Sequence, residues 1–500
     1  MSEKSSQLET PAQLDLESGP ESASRAAEDG KPVQQENDPN IIDWDGPDDP
    51  EKPMNWPKYR KAGIIATVCM LRFVTPLASS MMAAGLVQIE EDFKNAGVMF
   101  ITFSVSIYII GFGLGPLALA PLSEVYGRNI IYHIGNIMFT GFTVGCGASP
   151  NAGSLFTFRL LSGIVGGVPL TNAGGTISDI VPVNRRGSIM TLFTLCMLVG
   201  PVIGPTVGGF LSEAAGWRWI FWLLTIMSGL ATLFGLAFLR ETYGPVLLER
   251  KAARLRKETG NPLLRGKGKI DLPYRQLLFR NLSRPTRMLI YSPVILGVSL
   301  YMALVYGVIY LLFTTFSVVF QKTYGFSEGI AGLSYLGTGV GMVIALFSMG
   351  WYSDAIHIRL TKKYGTELPE YRLAPLLPGT IALPIGLFIY GWTAQYKVHW
   401  IVPIIGTAFV GIATTGSFNT IQIYLVDAYT VHAASALAAN SLVRSLAGGL
   451  VPLGGPSLYS NLGLGWGNSL LAFLAIFFAI FPLLFYKFGE RWRKRYSVSF

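Results

Sequence analysis

The chain has 500 residues, of which 51% are hydrophobic and only 14% charged, and its mean hydropathy is +0.43. About a quarter of a soluble domain is charged, so this composition excludes an ordinary water-soluble protein and requires lipid around it. The net charge of +9 hides an acidic start, with 14 acidic against 4 basic side chains in residues 1–56, and no nucleic-acid partner is expected.

Residues 1–56 are rich in Ser and Gln and poor in apolar groups. They bury too little surface to fold and lack the basic start and apolar stretch of a signal peptide, so a disordered acidic cytosolic tail is expected. Twelve apolar segments follow, near 62–84, 100–121, 130–149, 153–176, 188–211, 218–239, 290–316, 329–352, 374–393, 400–425, 433–457 and 466–487. Each is close to the roughly 20 residues that cross a bilayer. These spans, numbered 1 to 12, predict an all-α membrane protein: a six-helix bundle over 57–239, a basic cytosolic loop over 240–288, a second six-helix bundle over 289–487 and a basic cytosolic tail over 488–500. With the N-terminal tail inside, the same side collects 15 Lys and Arg in its turns and flanks before the loop adds 13, against four on the opposite side. Both termini are therefore expected in the cytosol. The loop's run from Glu249 to Lys257 fits an amphipathic helix on the anionic inner leaflet or a solvated linker.

The two halves repeat. Asp179 and Asp427 close spans 4 and 10 at an offset of 248, and Gly216-Trp217 and Gly465-Trp466 open spans 6 and 12 at an offset of 249. Glu124 and Asp354 close spans 2 and 8 in the same way. Such a parallel repeat predicts two pseudo-symmetric bundles of like orientation.

Three stretches carry chemistry. After span 2, Gly127 permits a tight reversal, and Glu124 and Arg128 can pair as a clasp between conformational states; a topogenic Arg beside a solvated Glu is the alternative. Span 5 contains Gly200, Pro201, Gly204, Pro205, Gly208 and Gly209, a smooth face for close helix approach interrupted by two prolines. Span 4 carries Arg159 roughly 10 Å below the surface at 1.5 Å rise per residue. Arg72 in span 1 and Arg444 in span 11 lie similarly deep, and each is either functional or paired with carbonyls.

Together with the repeat, these stretches resemble the major facilitator superfamily, and within it the twelve-span drug:proton antiporter branch of the fungal multidrug and metabolite exporter type. Leu122, Gly127 and Arg128 match the turn motif, while Ala120, Glu124 and Val125 depart from it; Arg159 and Gly163 match in span 4, and Gly200, Gly204, Pro205, Gly208 and Gly209 in span 5. The resemblance implies efflux by alternating access, driven by a proton gradient without a cofactor. Proton coupling is expected at Arg159, Asp179 and Asp427, with His133 as a further candidate, and gating at Glu124, Gly127, Arg128, Asp354, Gly200, Gly204, Pro205, Gly208 and Gly209. Carboxylates are absent from the middle of every span.

For the substrate, Tyr306, Tyr310 and Phe313 share one helix face in span 7, joined by Arg72, Asn172, Asn419, Gln422 and Asn440. An aromatic cavity with few polar anchors suits small amphipathic compounds such as drugs, toxins or secondary metabolites, although aromatic stripes also serve plain packing. No buried acid is present to hold a cation. A dedicated single-metabolite or polyamine carrier and a non-transporting sensor on the same fold are the alternatives. The chain has no phosphate-binding loop, its four histidines have no metal spacing, and Gly325-Phe-Ser327-Glu-Gly329 lacks the strand that a hydrolase elbow needs. An enzyme is not expected. The protein is expected to be a plasma-membrane monomer, with lipid, protons and a small molecule as its partners.

Overall fold

Where lipid leaves the backbone no water, only internally hydrogen-bonded structure survives. A computed structural model of the chain, which describes residues 40–268, 273–366 and 368–495, is accordingly helical along most of its length. The first half comprises α1 (Lys58–Met81), α2 (Leu86–Asp92), α3 (Val98–Tyr126), α4 (Arg128–Gly147), α5 (Ala152–Gly166), α6 (Val168–Ile180), α7 (Val183–Ala215) and α8 (Arg218–Phe238). Two connecting helices follow, α9 (Gly244–Thr259) and α10 (Tyr274–Tyr291). The second half comprises α11 (Pro293–Tyr324), α12 (Glu328–Leu333), α13 (Tyr335–Tyr364), α14 (Leu377–Gln395), α15 (Ile401–Ala428), α16 (Ala433–Leu450) and α17 (Gly455–Arg495).

Among the described residues, ten helical segments are long and apolar enough to cross a membrane. The last, Ala433–Arg495, holds two passes, because Gly463 leaves helical geometry at φ 71°; α4, with Asn129, His133 and Asn136, completes the twelve. Span 4 is divided at Gly167 into α5 and α6, with Pro169 in the first turn of α6. Pro fits there because its missing N–H has no helical partner in any case.

Packing repeats between the halves as the sequence offsets require. In the first half α1 packs on α7, α3 on α5 and α4 on α8; in the second α11 packs on α16, α13 on α15 and α14 on α17. The halves meet along two matching seams, α3 against α16 and α7 against α12 and α13. The end bearing Arg128 and Arg372 is called the basic face below, and the end bearing Asp92 and Glu328 the far face.

Three boundaries differ from those expected. Residues 40–56 are folded rather than disordered: Ile41–Ile42 (β1) pairs in parallel with Arg265–Gly266 (β2), and Pro53–Asn55 forms a short 3-10 turn. Residues 1–39 of the expected tail lie outside the described residues. The connecting loop is largely helical. Leu248, Lys251 and Ala252 on α9 are buried, and Lys251 bonds Asp45 at 2.6 Å and lies 3.6 Å from Asp49, so the inner side of α9 is covered by protein rather than by lipid or water alone. Finally, α17 carries the basic end of the chain as continuous helix to Arg495; residues 496–500 of the expected tail lie outside the described residues.

Candidate functional site

Prolines inside α1 and α7 mark the centre of the molecule. Pro205 has no N–H to give the Pro201 carbonyl one turn earlier, and the Ser80 hydroxyl donates to that carbonyl instead, at 2.9 Å. This bond is possible because α7 lies against α1 through glycines. A Cβ on Gly200 would meet the Phe73 carbonyl at 2.9 Å, one on Gly204 the Ser80 hydroxyl at 2.5 Å, and one on Gly208 the Met81 carbonyl at 2.5 Å. Gly209 turns toward the other half, where a Cβ would meet the Glu328 carbonyl at 2.5 Å. The glycine face read from the sequence thus serves two contacts, one within its bundle and one across the seam.

Between these helices lies a narrow cavity of about 60 Å³, room for roughly a few waters in this conformation. Its wall is apolar and aromatic, with Phe112, Phe313 and Phe418 from three helices and hydroxyls from Ser79, Tyr306, Tyr310, Thr414 and Thr415. Ser79 of α1 and Tyr310 of α11 stand 3.2 Å apart, hydroxyl to hydroxyl, across the two halves. Tyr306 and Tyr310 have ring centroids 5.0 Å apart, and Tyr310 and Phe313 5.6 Å. The stripe expected in span 7 therefore faces the cavity.

The other expected substrate contacts lie elsewhere. Asn419 and Gln422 follow Thr415 by one and two turns on α15, nearer the basic face, and neither lines the cavity. Asn172 is buried in α6, where its carbonyl accepts a bond from the Arg128 guanidinium at 3.3 Å. Asn440 is buried in α16 without a partner for its Oδ1, and Arg72 lies behind the wall. Thr415, which the sequence reading passed over, does line the cavity, and its buried hydroxyl has no partner.

Arg159 is fully buried and bonds only carbonyls: Ala78 at 2.8 Å, Val105 at 3.1 Å, Ser104 at 3.2 Å and Ser79 at 3.4 Å. Its guanidinium lies 4.5 Å from the Tyr108 ring centroid. Ala78 and Ser79 lie just before α1 tightens into the 3-10 turn Met82–Gly85. Arg159 thus ties this part of α1 to α3. His133 sits beside Gly235 of α8 and does not line the cavity.

At the basic face the expected clasp has a different partner. Arg128 pairs with Asp179 at 3.1 Å, and Glu124 is exposed. The first amides of α4, on Arg128 and Asn129, donate to the buried carboxylate of Glu241 at 3.1 Å each, where a negative charge suits the helix N-terminus. Gly127 makes this turn at φ 98°, and a Cβ there would collide with the Glu241 carboxylate. Nothing in helical period or spacing marks Glu241 for this contact. In the second half Arg372 bridges Asp354 at 2.7 Å and Asp427 at 3.0 Å, so both bundles close this face with an arginine held by the acids at helix ends. At the far face Gln88 donates to Glu328 at 3.0 Å, the Gly329 amide to Glu213 at 2.8 Å, and Thr206 to the Gly332 carbonyl at 2.9 Å, all across the seam.

Comparison with known proteins agrees with this architecture. Residues 68–452 match the family described as Major Facilitator Superfamily. The chain is 49% identical to efflux pump radE of Floropilus chiversii over 94% of this chain and 88% of that protein. It is 47% identical to MFS-type transporter penM of Penicillium rubens over 97% and 95%, and 47% identical to MFS-type transporter atr4 of Stereocaulon alpinum over 99% and 90%. Among solved structures, a D-xylose-proton symporter superimposes with a TM-score of 0.62 at 17% identity, over 83% of this chain and 97% of its own, a likeness of fold. The twelve helices, the paired bundles and these relatives lead to one conclusion: the chain belongs to the Major Facilitator Superfamily and is a multi-pass membrane transporter.

Proposed function

We propose that this transporter exports small amphipathic compounds by alternating access, exchanging them for protons. The observation that carries the reading is the seam cavity, whose apolar, aromatic wall offers a few hydroxyls and no carboxylate among the described residues. Such a wall accepts varied hydrophobic bodies and fixes them weakly, as a carrier that must release its load requires. The relative named an efflux pump, 49% identical, supports the outward direction. Because the cavity is bounded by both halves, rocking one bundle on the other exposes it to each side in turn.

Proton exchange falls to the acids of the basic face. Asp179 and Asp427 each share an arginine, Arg128 and Arg372, so protonating either acid releases a cation and loosens a helix end. Arg159 contributes by fixing the stretch of α1 that carries Ser79. The charge pattern supports the basic face and both termini lying in the cytosol, and we place the transporter in the plasma membrane. It acts as a monomer, with surrounding lipid, protons and the transported compound as its partners.

The test is substrate-dependent proton movement in proteoliposomes under an imposed pH gradient, with Thr415→Trp filling the cavity. Flux that requires particular compounds and disappears in Thr415→Trp is expected. Compound movement without proton flux would make the protein a facilitator, and full transport by Thr415→Trp would place the substrate path elsewhere.

A further inference from the structure

A buried guanidinium carries five N–H donors and a charge that must be balanced or solvated. The three deep arginines meet this demand differently. Arg159 is satisfied by four carbonyls. Arg444 is 2% exposed and makes one hydrogen bond, to the Ser441 hydroxyl at 3.0 Å, while its Nε and Nη1 have no partner. Arg72 is 8% exposed, reaches the Pro169 carbonyl at 3.3 Å and the Met197 sulfur at 3.1 Å, and leaves its Nε without a partner. A thioether is a weak acceptor. Neither arginine forms an ion pair with an acid among the described residues.

Both stand just behind the cavity wall. The Arg444 guanidinium lies 4.7 Å from the Tyr306 ring centroid and 4.9 Å from that of Phe418, two wall residues. Arg72 touches the wall through Met197 and stands one turn before Pro76, another wall residue. One arginine comes from each half. Two cations with unmet donors, on opposite bundles around an apolar cavity, form half of a charge-assisted contact.

We propose that the transported compounds are amphipathic organic anions, their acidic group drawn between Arg72 and Arg444 and their apolar body held by Phe112, Phe313 and Phe418, with the free Thr415 hydroxyl as a further donor. This rests on the export reading above and names its substrate class. The ring faces of Tyr306 and Phe418 hold Arg444 while the cavity is empty; small rotations of these side chains bring the guanidinium to the acid. A carboxylate supplies the acceptors that each arginine lacks, whereas an amine adds a third positive charge.

The test uses the purified full-length protein and three probes with one aromatic body: pyrenebutyrate, its amide and pyrenebutylamine. Binding is followed by pyrene fluorescence at neutral pH. The carboxylate is expected to bind at least about tenfold more tightly than the amide, with the amine weakest. Arg72→Gln and Arg444→Gln should each cut that advantage to about twofold, and Arg444→Lys, which keeps the charge, should retain most of it; monodisperse elution checks that each variant is folded. Equal binding of carboxylate and amide, an advantage that survives in both Gln variants, or no binding of any probe overturns the assignment. Absence of a carboxylate preference in the unmutated protein while Thr415→Trp still blocks transport fails this inference alone; full transport by Thr415→Trp fails the export reading with it.

Discussion

The hydroxyls of Ser79 and Tyr310, 231 positions apart in the chain, meet at 3.2 Å where the two bundles face each other. A hydrogen bond of this kind contributes about 1 kcal/mol, roughly a fivefold bias toward the closed seam. Tyr310→Phe removes the bond and keeps the ring. Its apparent KM for transport should shift about fivefold at unchanged expression, measured in vesicles; an unaltered KM would show that the seam closes without this bond.

Arg159 is expected to act first on stability. Arg159→Met removes the buried hydrogen bonds to the carbonyls of Ala78, Ser79, Ser104 and Val105, at a cost on the order of 3 kcal/mol. Arg159→Lys recovers little, since one ammonium cannot span two helices as a planar fork does. Thermal unfolding in detergent reads this directly. A variant with unchanged melting but no transport would instead put Arg159 in the proton path.

Close helix approach gives a matched pair of glycine substitutions. Gly204→Leu drives a side chain into Ser80 and the Leu77 carbonyl and should destabilise by about 1–3 kcal/mol or more, with transport lost. A Cβ on Gly229 of α8 meets nothing within 4 Å, so Gly229→Ala should be neutral or gain up to about 1 kcal/mol from helix propensity. Melting temperature and transport assays on both variants separate packing from composition.

The folded 40–56 segment should respond to pH and salt. Backbone amides of Asp45 and Glu51 donate to Asp49, at 2.9 and 2.8 Å, and with the nearby Lys251 hold its carboxyl below the usual range; Lys267 does the same for Asp43. Since both carboxyls have lower pKa values docked than free, docking is complete above the free value of about 3.9 and fades as pH falls through the docked values. Hydrogen exchange at Ile42 and Lys267 should thus stay slow from neutral pH down to about pH 5 and quicken only below about pH 4. High salt should quicken it at any pH by screening the Glu51–Arg254 pair. Protection lost already at pH 6 would refute these carboxylates as the anchors.

Much of this was readable from periodicity. Helical spacing placed Tyr306, Tyr310 and Phe313 on one face, and that face lines the cavity; glycines four apart predicted a close approach, and α1 fills it. Partnership across distance was less legible. Nothing near Arg128 in sequence distinguishes Glu124 from Asp179 as its partner, because only the packing of α6 beside the α3–α4 turn decides it. The same holds for Asn419 and Gln422: period and polarity put them on the face of Thr415, but the depth at which α3, α11 and α15 converge decides which turn meets the cavity. Arg72, Arg159 and Arg444 read alike as deep charges, and they separate only when the carbonyls around each are counted.

The unmatched positive charge at Arg72 and Arg444 has an electrical consequence. A carrier with two cations at its centre is more positive when empty than when an anion is seated, so its empty and loaded forms respond differently to voltage across the bilayer. In a cell whose interior is negative, each anion moved outward gains about 2.3 kcal/mol per 100 mV. Membrane potential therefore assists export of an anion, and it opposes export of a cation of the same size through the same cavity.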